Sequence, residues 1–339
     1  MRKLRVLVLL HPDLMPPESP EGYTTKESLP WMSLYDVIQT LRELGHDVSV
    51  LGVQWELGPI RDEVTKWKPH VVFNLLEEFY GQVEFDQHVV SYLELLKVPY
   101  TGCNPRGLVI SRGKAISKTL LKYHRIHSPA FTTVRRGGRV RRTHGLDFPL
   151  IVKSLTADAS LGISQASIVE SDAALKERVR FVHESVQTHA LVEQYVEGRE
   201  IYVGVVGNGR LQVFPPWELL FENLPPGSAS IATARVKHDP EYQVKRGIKQ
   251  QAAEGLEDRM LDLIVRTTKR VFRVLDLNGY ARIDYRLGQD GKLYFLEANA
   301  NPDVGKSEEF ACSAEADGLE YDALVQKILN LGLSWSRGR

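Results

Sequence analysis

The chain has 339 residues, 43 basic and 43 acidic, so its formal net charge at pH 7 is zero. Hydrophobic residues make up 43% and charged residues 25%, an ordinary globular composition that excludes a disordered tail or a nucleic-acid-coating protein as a description of the whole. No apolar run reaches the roughly 18–20 residues of a membrane helix, and two distant cysteines, Cys103 and Cys312, support neither a disulfide framework nor a thiolate metal site. The run 6–10, after Met1-Arg2-Lys3, is too short for a signal peptide's apolar region, so a soluble, cytoplasmic protein with no membrane partner is expected. In chain order, 4–10 reads as a buried parallel strand, followed by a Pro-rich loop over 12–30. Apolar spacing at Leu34, Val37, Ile38 and Leu41 predicts a helix over 33–44 that stops at Gly45. A strand at 46–53, a helix at 60–67, a strand at 71–76 and a helix at 83–96 complete an open parallel sheet, whose ligands belong at the strands' carboxyl ends.

A helix at 114–123 follows, and the texture changes after His127-Ser128-Pro129. Strands are predicted at 148–153 and 164–168, joined by 154–163, then a helix at 173–186. Strands at 191–196, 200–206 and 211–214 turn at Asn208-Gly209. The segment 222–255 is polar and Pro/Gly-punctuated and reads as a mobile, functional loop with little fixed structure. A strong helix covers 259–275, and 279–287 and 292–297 form a hairpin around Gln289-Asp290-Gly291. A last helix runs over 321–329, and the tail 334–339 is expected to fray.

The late hairpin carries the most chemistry. Arg282 and Asp284 stand two apart on one strand, and Glu297 and Asn299 two apart on the other, so each pair shares a face. Paired across the hairpin they gather hard oxygen ligands, suited to Mg²⁺ with substrate phosphates, beside one guanidinium that can stabilise a phosphoryl group or an oxyanion. The alternative is a cross-strand salt bridge on a solvated sheet. Lys153 ends an apolar strand where it can meet a phosphate, and the small-residue loop after it holds Ser160 and Gly162; the alternative is a snorkelling surface lysine. Glu193 and Glu200 flank a Gly turn and could serve an adenine amine and ribose hydroxyls, or discourage edge pairing instead. The stretch Arg135-Arg136-Gly137-Gly138-Arg139-Val140-Arg141-Arg142 reads as a solvated hairpin rather than a nucleic-acid surface, because aromatic residues are absent from it.

Together these pieces resemble an ATP-grasp ligase. The order Lys114, Lys153, Glu193, Glu200, Arg282-x-Asp284 and Glu297-x-Asn299 is similar to the D-alanine–D-alanine ligase branch. Val72-Phe73-Asn74-Leu75-Leu76, Val98-Pro99-Tyr100-Thr101-Gly102, Leu44-Gly45-His46-Asp47-Val48 and Gly318-Leu319-Glu320-Tyr321 add to the likeness, which runs from about residue 4 to 329. The resemblance implies an α/β ATP-grasp fold in three lobes: an open parallel sheet (1–104), a small central α+β lobe (105–190) and a C-terminal α+β catalytic lobe (191–339). It implies that ATP phosphorylates a carboxylate and an amine attacks the acyl phosphate. Lys114 and Lys153 would contact the phosphates, Glu193 and the backbone near Val196 adenine, and Glu200 ribose. Asp284, Glu297 and Asn299 would bind two Mg²⁺, with Mn²⁺ as a substitute ion, while Arg282 steadies the transferring phosphoryl. The 222–255 segment would be the lid, with Lys237 approaching the phosphates. Ser160 keeps one hydroxyl of a serine pair whose other member is Ala159. An ATP-dependent small-molecule kinase on the same scaffold is the alternative reading. The partners implied are small-molecule carboxylate and amine substrates, without nucleic acid, and a homodimer is an assembly to expect.

Departures fall in the amino-acid half. Leu29 stands where the family holds the first D-alanine's ammonium with a Glu, and His238 replaces the lid tyrosine. Glu77-Glu78 and Gly81-Gln82-Val83-Glu84 replace the elements after the third strand. After the catalytic hairpin, Asp303 and Glu308 occupy the family's Pro-Gly glycine and its carboxylate-binding serine. These are acceptor-site candidates. A carboxylate facing a carboxylate is unfavourable, so a different substrate pair, with a cationic acceptor, is expected.

Overall fold

The computed structural model describes residues 2–28, 30–156, 162–233, 235–236 and 239–337. Three parallel strands open the chain, β1 (Arg5–Leu10), β2 (Asp47–Gly52) and β3 (Val71–Asn74), in the order β2-β1-β3. Alternation along β1 divides its side chains between two cores. Leu7 and Leu9 pack with Val72, Val89 and Leu108 and also with Ile201, Ile283 and Phe295 from the far end of the chain. Val6, Val8 and Leu10 pack against the helix Met32–Glu43 and against Tyr280, Phe310 and Leu324. The helix predicted over 83–96 begins as a 3-10 turn, Val83–Phe85, and becomes α-helical at Asp86–Leu95.

The second sheet is antiparallel: β4 (Phe131–Val134), β5 (Leu150–Ser154), β6 (Ile168–Val169) and β7 (Ala190–Gln194), in the order β4-β7-β5-β6. Leu150, Val152 and Val192 face the helix Asp172–Phe181 and form a separate core with Leu175 and Val179. This corrects the lobe boundaries. The helices Pro105–Arg112 and Lys114–Tyr123 put Leu108 and Leu121 into the core shared by the first and third sheets, so the unit with its own core spans about 131–194, and a boundary after 190 would cut β7. The strand predicted at 164–168 is a 3-10 turn, Gln165–Ser167, closed by reciprocal Ser164 and Ser167 capping, before the two-residue β6.

The third sheet holds β8 (Gly198–Gly207), β9 (Leu211–Val213), β10 (Trp217–Phe221), β11 (Ile248–Ala252), β12 (Gly279–Gly288) and β13 (Leu293–Ala300), in the order β11-β10-β8-β12-β13 with β9 beside β8. The helix Asp258–Val274 buries Ile264, Thr268, Val271 and Phe272. The loop read over 222–255 is more structured than expected. It contains the helix Pro240–Arg246, capped by Asp239, and β11, which pairs antiparallel with β10. Trp217, Phe221, Val236, Tyr242 and Ile248 gather over Tyr202 and Leu219, and that long-range burial fixes a segment whose local composition reads as loop. The last helix runs over Tyr321–Arg337, so the expected fraying at 334 is not observed through 337. No helix among the described residues is long and apolar enough to cross a membrane.

Candidate active site

β12 lies between β8 and β13, and its register sets Arg282 opposite Asn299 and Asp284 opposite Glu297, so all four side chains share one face. Arg282 Nε and Nη2 donate to the two oxygens of Asp284 at 2.7 and 3.0 Å, and Asn299 Nδ2 donates to Asp284 Oδ2 at 3.0 Å. The guanidinium also pairs with Glu309, at the start of the helix Glu309–Ala316, and lies 4.9 Å over the Tyr202 ring. Burial works against the Arg282 charge, but Asp284 and Glu309 outweigh it and hold its pKa well above the ordinary value. Among the described residues no group of three or more His, Cys, Asp or Glu side chains forms a metal cage. The donor set here is two carboxylates and an amide whose nitrogen is already used on Asp284, leaving its oxygen as the ligand atom. Glu297 is partly exposed, and such an open set of hard oxygens fits a Mg²⁺ that keeps waters and phosphate oxygens.

Cations line the other side. Lys114 Nζ lies 3.6 Å from Glu297 Oε2. Lys153 Nζ lies 3.1 Å from Glu193 Oε2, and Lys118 Nζ lies 2.9 Å from Glu193 Oε1. Burial alone would raise the Glu193 carboxyl, but Lys118 and Lys153 lower its pKa and keep it ionised. The carboxylate expected to meet adenine thus faces two ammoniums, one on each oxygen. Glu200 is buried; it accepts from Tyr202 Oη at 3.0 Å and from Arg286 Nη2 at 2.7 Å. Val196 is half-buried and sits beside Gly288 of the catalytic hairpin. The turn into β8 needs Gly198, where φ is 151° and a Cβ would collide with the Leu287 carbonyl.

The segment expected to be a lid touches both sides of this cleft. Ala229 exchanges two 2.9 Å hydrogen bonds with Gln165 of the central unit, and Ser230 O accepts from Arg286 Nη1 at 2.9 Å. Ser160, Lys237, His238 and Leu29 lie outside the described residues.

At the hairpin's end, Asp303 accepts from Ser33 Oγ at 2.9 Å and from Gly305 N at 2.9 Å, and Lys306 N donates to Asp36 Oδ2 at 2.9 Å. Asp303 keeps exposed surface, yet its crowded surroundings and the nearby Glu309 and Asp36 carboxylates raise its pKa. Glu308 stands just before the helix Glu309–Ala316, at its N-cap position but without a side-chain capping hydrogen bond, and burial, with Asp303 and Glu309 adding to it, pushes its carboxyl up to about 7.

Residues 120–330 match the family model described as D-ala D-ala ligase C-terminus. The chain belongs to that family. It is 33% identical over 261 residues to the uncharacterized protein y4sG of Sinorhizobium fredii, covering 77% of this chain and 74% of that one. It is 29% identical over 293 residues to the D-alanine–D-alanine ligase of Aquifex aeolicus, covering 86% and 92%. The crystal structure of D-alanine–D-alanine ligase from Bacillus anthracis complexed with ATP superposes with a TM-score of 0.74 at 20% identity, covering 99% of each chain, and shows the shared fold. The protein is an ATP-grasp carboxylate–amine ligase, and these comparisons support the ligase rather than the kinase alternative.

Four site residues escaped the sequence reading of this family member. Arg286 continues the period-two row of Arg282 and Asp284 and could have been found there. Tyr202 follows Glu200 by the same period. Lys118 stands one helical turn after Lys114. Glu309, not Glu308, meets Arg282, and only the helix start separates their directions.

Proposed function

We propose that this ligase joins a small carboxylate to a cationic amine through an acyl phosphate, releasing ADP and phosphate. Lys114 and Lys153 would draw in the triphosphate of ATP, the backbone around Val196 would line adenine, and Glu200, held in place by Arg286, would accept from ribose hydroxyls. Asp284, Glu297 and Asn299 would hold Mg²⁺, which supplies charge neutralisation of the transferring phosphoryl group. Arg282, fixed by Asp284 and Glu309, would steady the oxyanion formed when the amine attacks. Lys237 and Ser160 are assigned to lid closure and the phosphate loop by their family positions. Closure of 222–255 would keep water from the acyl phosphate.

The observation that carries the acceptor assignment is the acidic wall beside Arg282. Glu309 is paired with that guanidinium, while burial and the Asp303 and Glu309 carboxylates raise Glu308 against a smaller opposing pull from Arg282, and burial with Glu309 and Asp36 raises Asp303. An ammonium or guanidinium on the acceptor would relieve that repulsion, whereas a substrate carboxylate would add to it, a difference of roughly 2–4 kcal/mol in a partly desolvated site. Glu308→Ser is expected to lose the preference for diamines and basic amino acids over D-alanine, measured as ADP release with each amine. An unchanged acceptor profile in that variant, or robust D-alanyl-D-alanine formation by the wild type, overturns the assignment.

The same carboxyl sets a pH dependence. Its folded pKa of about 7 lies above the ordinary value of 4.5, so the folded chain binds protons more tightly than the unfolded one. Stability is therefore expected to fall as pH rises from 4.5 through about 7, and Glu308→Gln to flatten that slope in thermal melts. A wild-type slope identical to that of the variant would remove Glu308 from the account.

A further inference from the structure

Lys118 has no part in the scheme above, yet among the described residues it is the most enclosed cation near the cleft, with 0% exposure. A buried ammonium persists only when paired. Its Nζ meets Glu193 Oε1 at 2.9 Å, donates to the Phe295 carbonyl at 3.3 Å, and lies 5.4 Å from the Phe295 ring centre. Phe295 belongs to β13 and Glu193 to β7, so one ammonium joins the catalytic sheet to the central sheet. The other Glu193 oxygen holds Lys153, whose side chain keeps 16% of its surface exposed while that of Glu193 keeps 1%. The three charges thus run cation, anion, cation, from the interior to the cleft. Strand pairing agrees: Ile151 stands opposite Glu193, so Lys153, two residues on, shares its face, away from the core under Val152 and Val192.

We propose that Lys118 is a positioning residue for the ATP phosphates: it balances Glu193 from the interior, so that Glu193 orients the Lys153 ammonium without cancelling its charge. This rests on the reading that Lys153 meets the phosphates. With Lys118 present, two ammoniums face one carboxylate, and a positive charge remains for the triphosphate. Without it, Glu193 and Lys153 cancel, and the carboxylate can keep Lys153 from the nucleotide. Burial lowers the Lys118 pKa, while Glu193 and, to a smaller degree, Glu297 oppose that fall.

The test is a cycle of KM values for ATP. Lys118→Met is expected to raise KM about tenfold or more, and adding Glu193→Gln in the same chain to return it to within about threefold of wild type, because the Lys153 charge is then released. A purely structural pair would change the melting temperature without this reversal in KM. An unchanged KM in Lys118→Met, or a double variant with KM still raised, overturns the proposal. Should Lys118→Met fail to fold, the double variant carries the test: KM near wild type supports the role, and KM equal to that of Lys153→Ala overturns it. Wild-type protein that neither binds ATP nor releases ADP would instead overturn the ligase reading itself.

Discussion

Glu297→Gln is expected to lower ADP release by about 10²-fold or more. The substitution keeps the side chain's shape and removes one carboxylate from a set of only two, so the phosphoryl charge is poorly neutralised. Glu297 is partly exposed, but the Lys114 ammonium it faces at 3.6 Å is buried, so a fall in melting temperature is expected to accompany the loss of turnover. Asp284→Asn is expected to show the same loss of turnover with a lower melting temperature, because Asp284 is buried and holds both Arg282 and Asn299. Steady-state ADP release at saturating Mg²⁺ checks both. Near wild-type turnover in either variant would remove that residue from the metal set.

Arg286→Met carries the largest expected effect on stability. Arg286 and Glu200 are both buried, and the guanidinium also donates to the carbonyls of Gly198 and Ser230. Removing it strands a carboxylate in the interior, which typically costs about 3–5 kcal/mol. Loss of the Ser230 contact also frees the segment that spans the cleft, so the KM for ATP should rise together with the fall in melting temperature. A denaturant melt of Arg286→Met/Glu200→Gln separates the contributions: the double variant recovers stability if the stranded charge is the cause, and shows no recovery if Arg286 acts through packing alone.

The catalytic hairpin was legible because two local rules coincide there, a period-two row of charged residues and a Gln289-Asp290-Gly291 turn. The first sheet was legible for a related reason, since the apolar runs at Arg5–Leu10 and Val71–Asn74 are buried and need no distant partner to be recognised. The segment 222–255 was not, because β11 exists only through its pairing with β10 and the cluster over Tyr202. Lys118 was hidden by its residue type, which local reading places at the surface. Glu308 and Glu309 could not be told apart either: at a helix start one residue is extended and the next helical, so adjacent carboxylates diverge, and the one that meets Arg282 is set by the cap.

The most direct measurement uses a carboxylate substrate labelled with ¹⁸O, incubated with ATP, Mg²⁺ and a diamine or basic amino acid, with mass spectrometry of both products. An acyl phosphate pathway transfers one labelled oxygen to inorganic phosphate and leaves an amide of the carboxylate and the cationic amine. Unlabelled phosphate, or a phosphorylated product with no amide, would contradict the account.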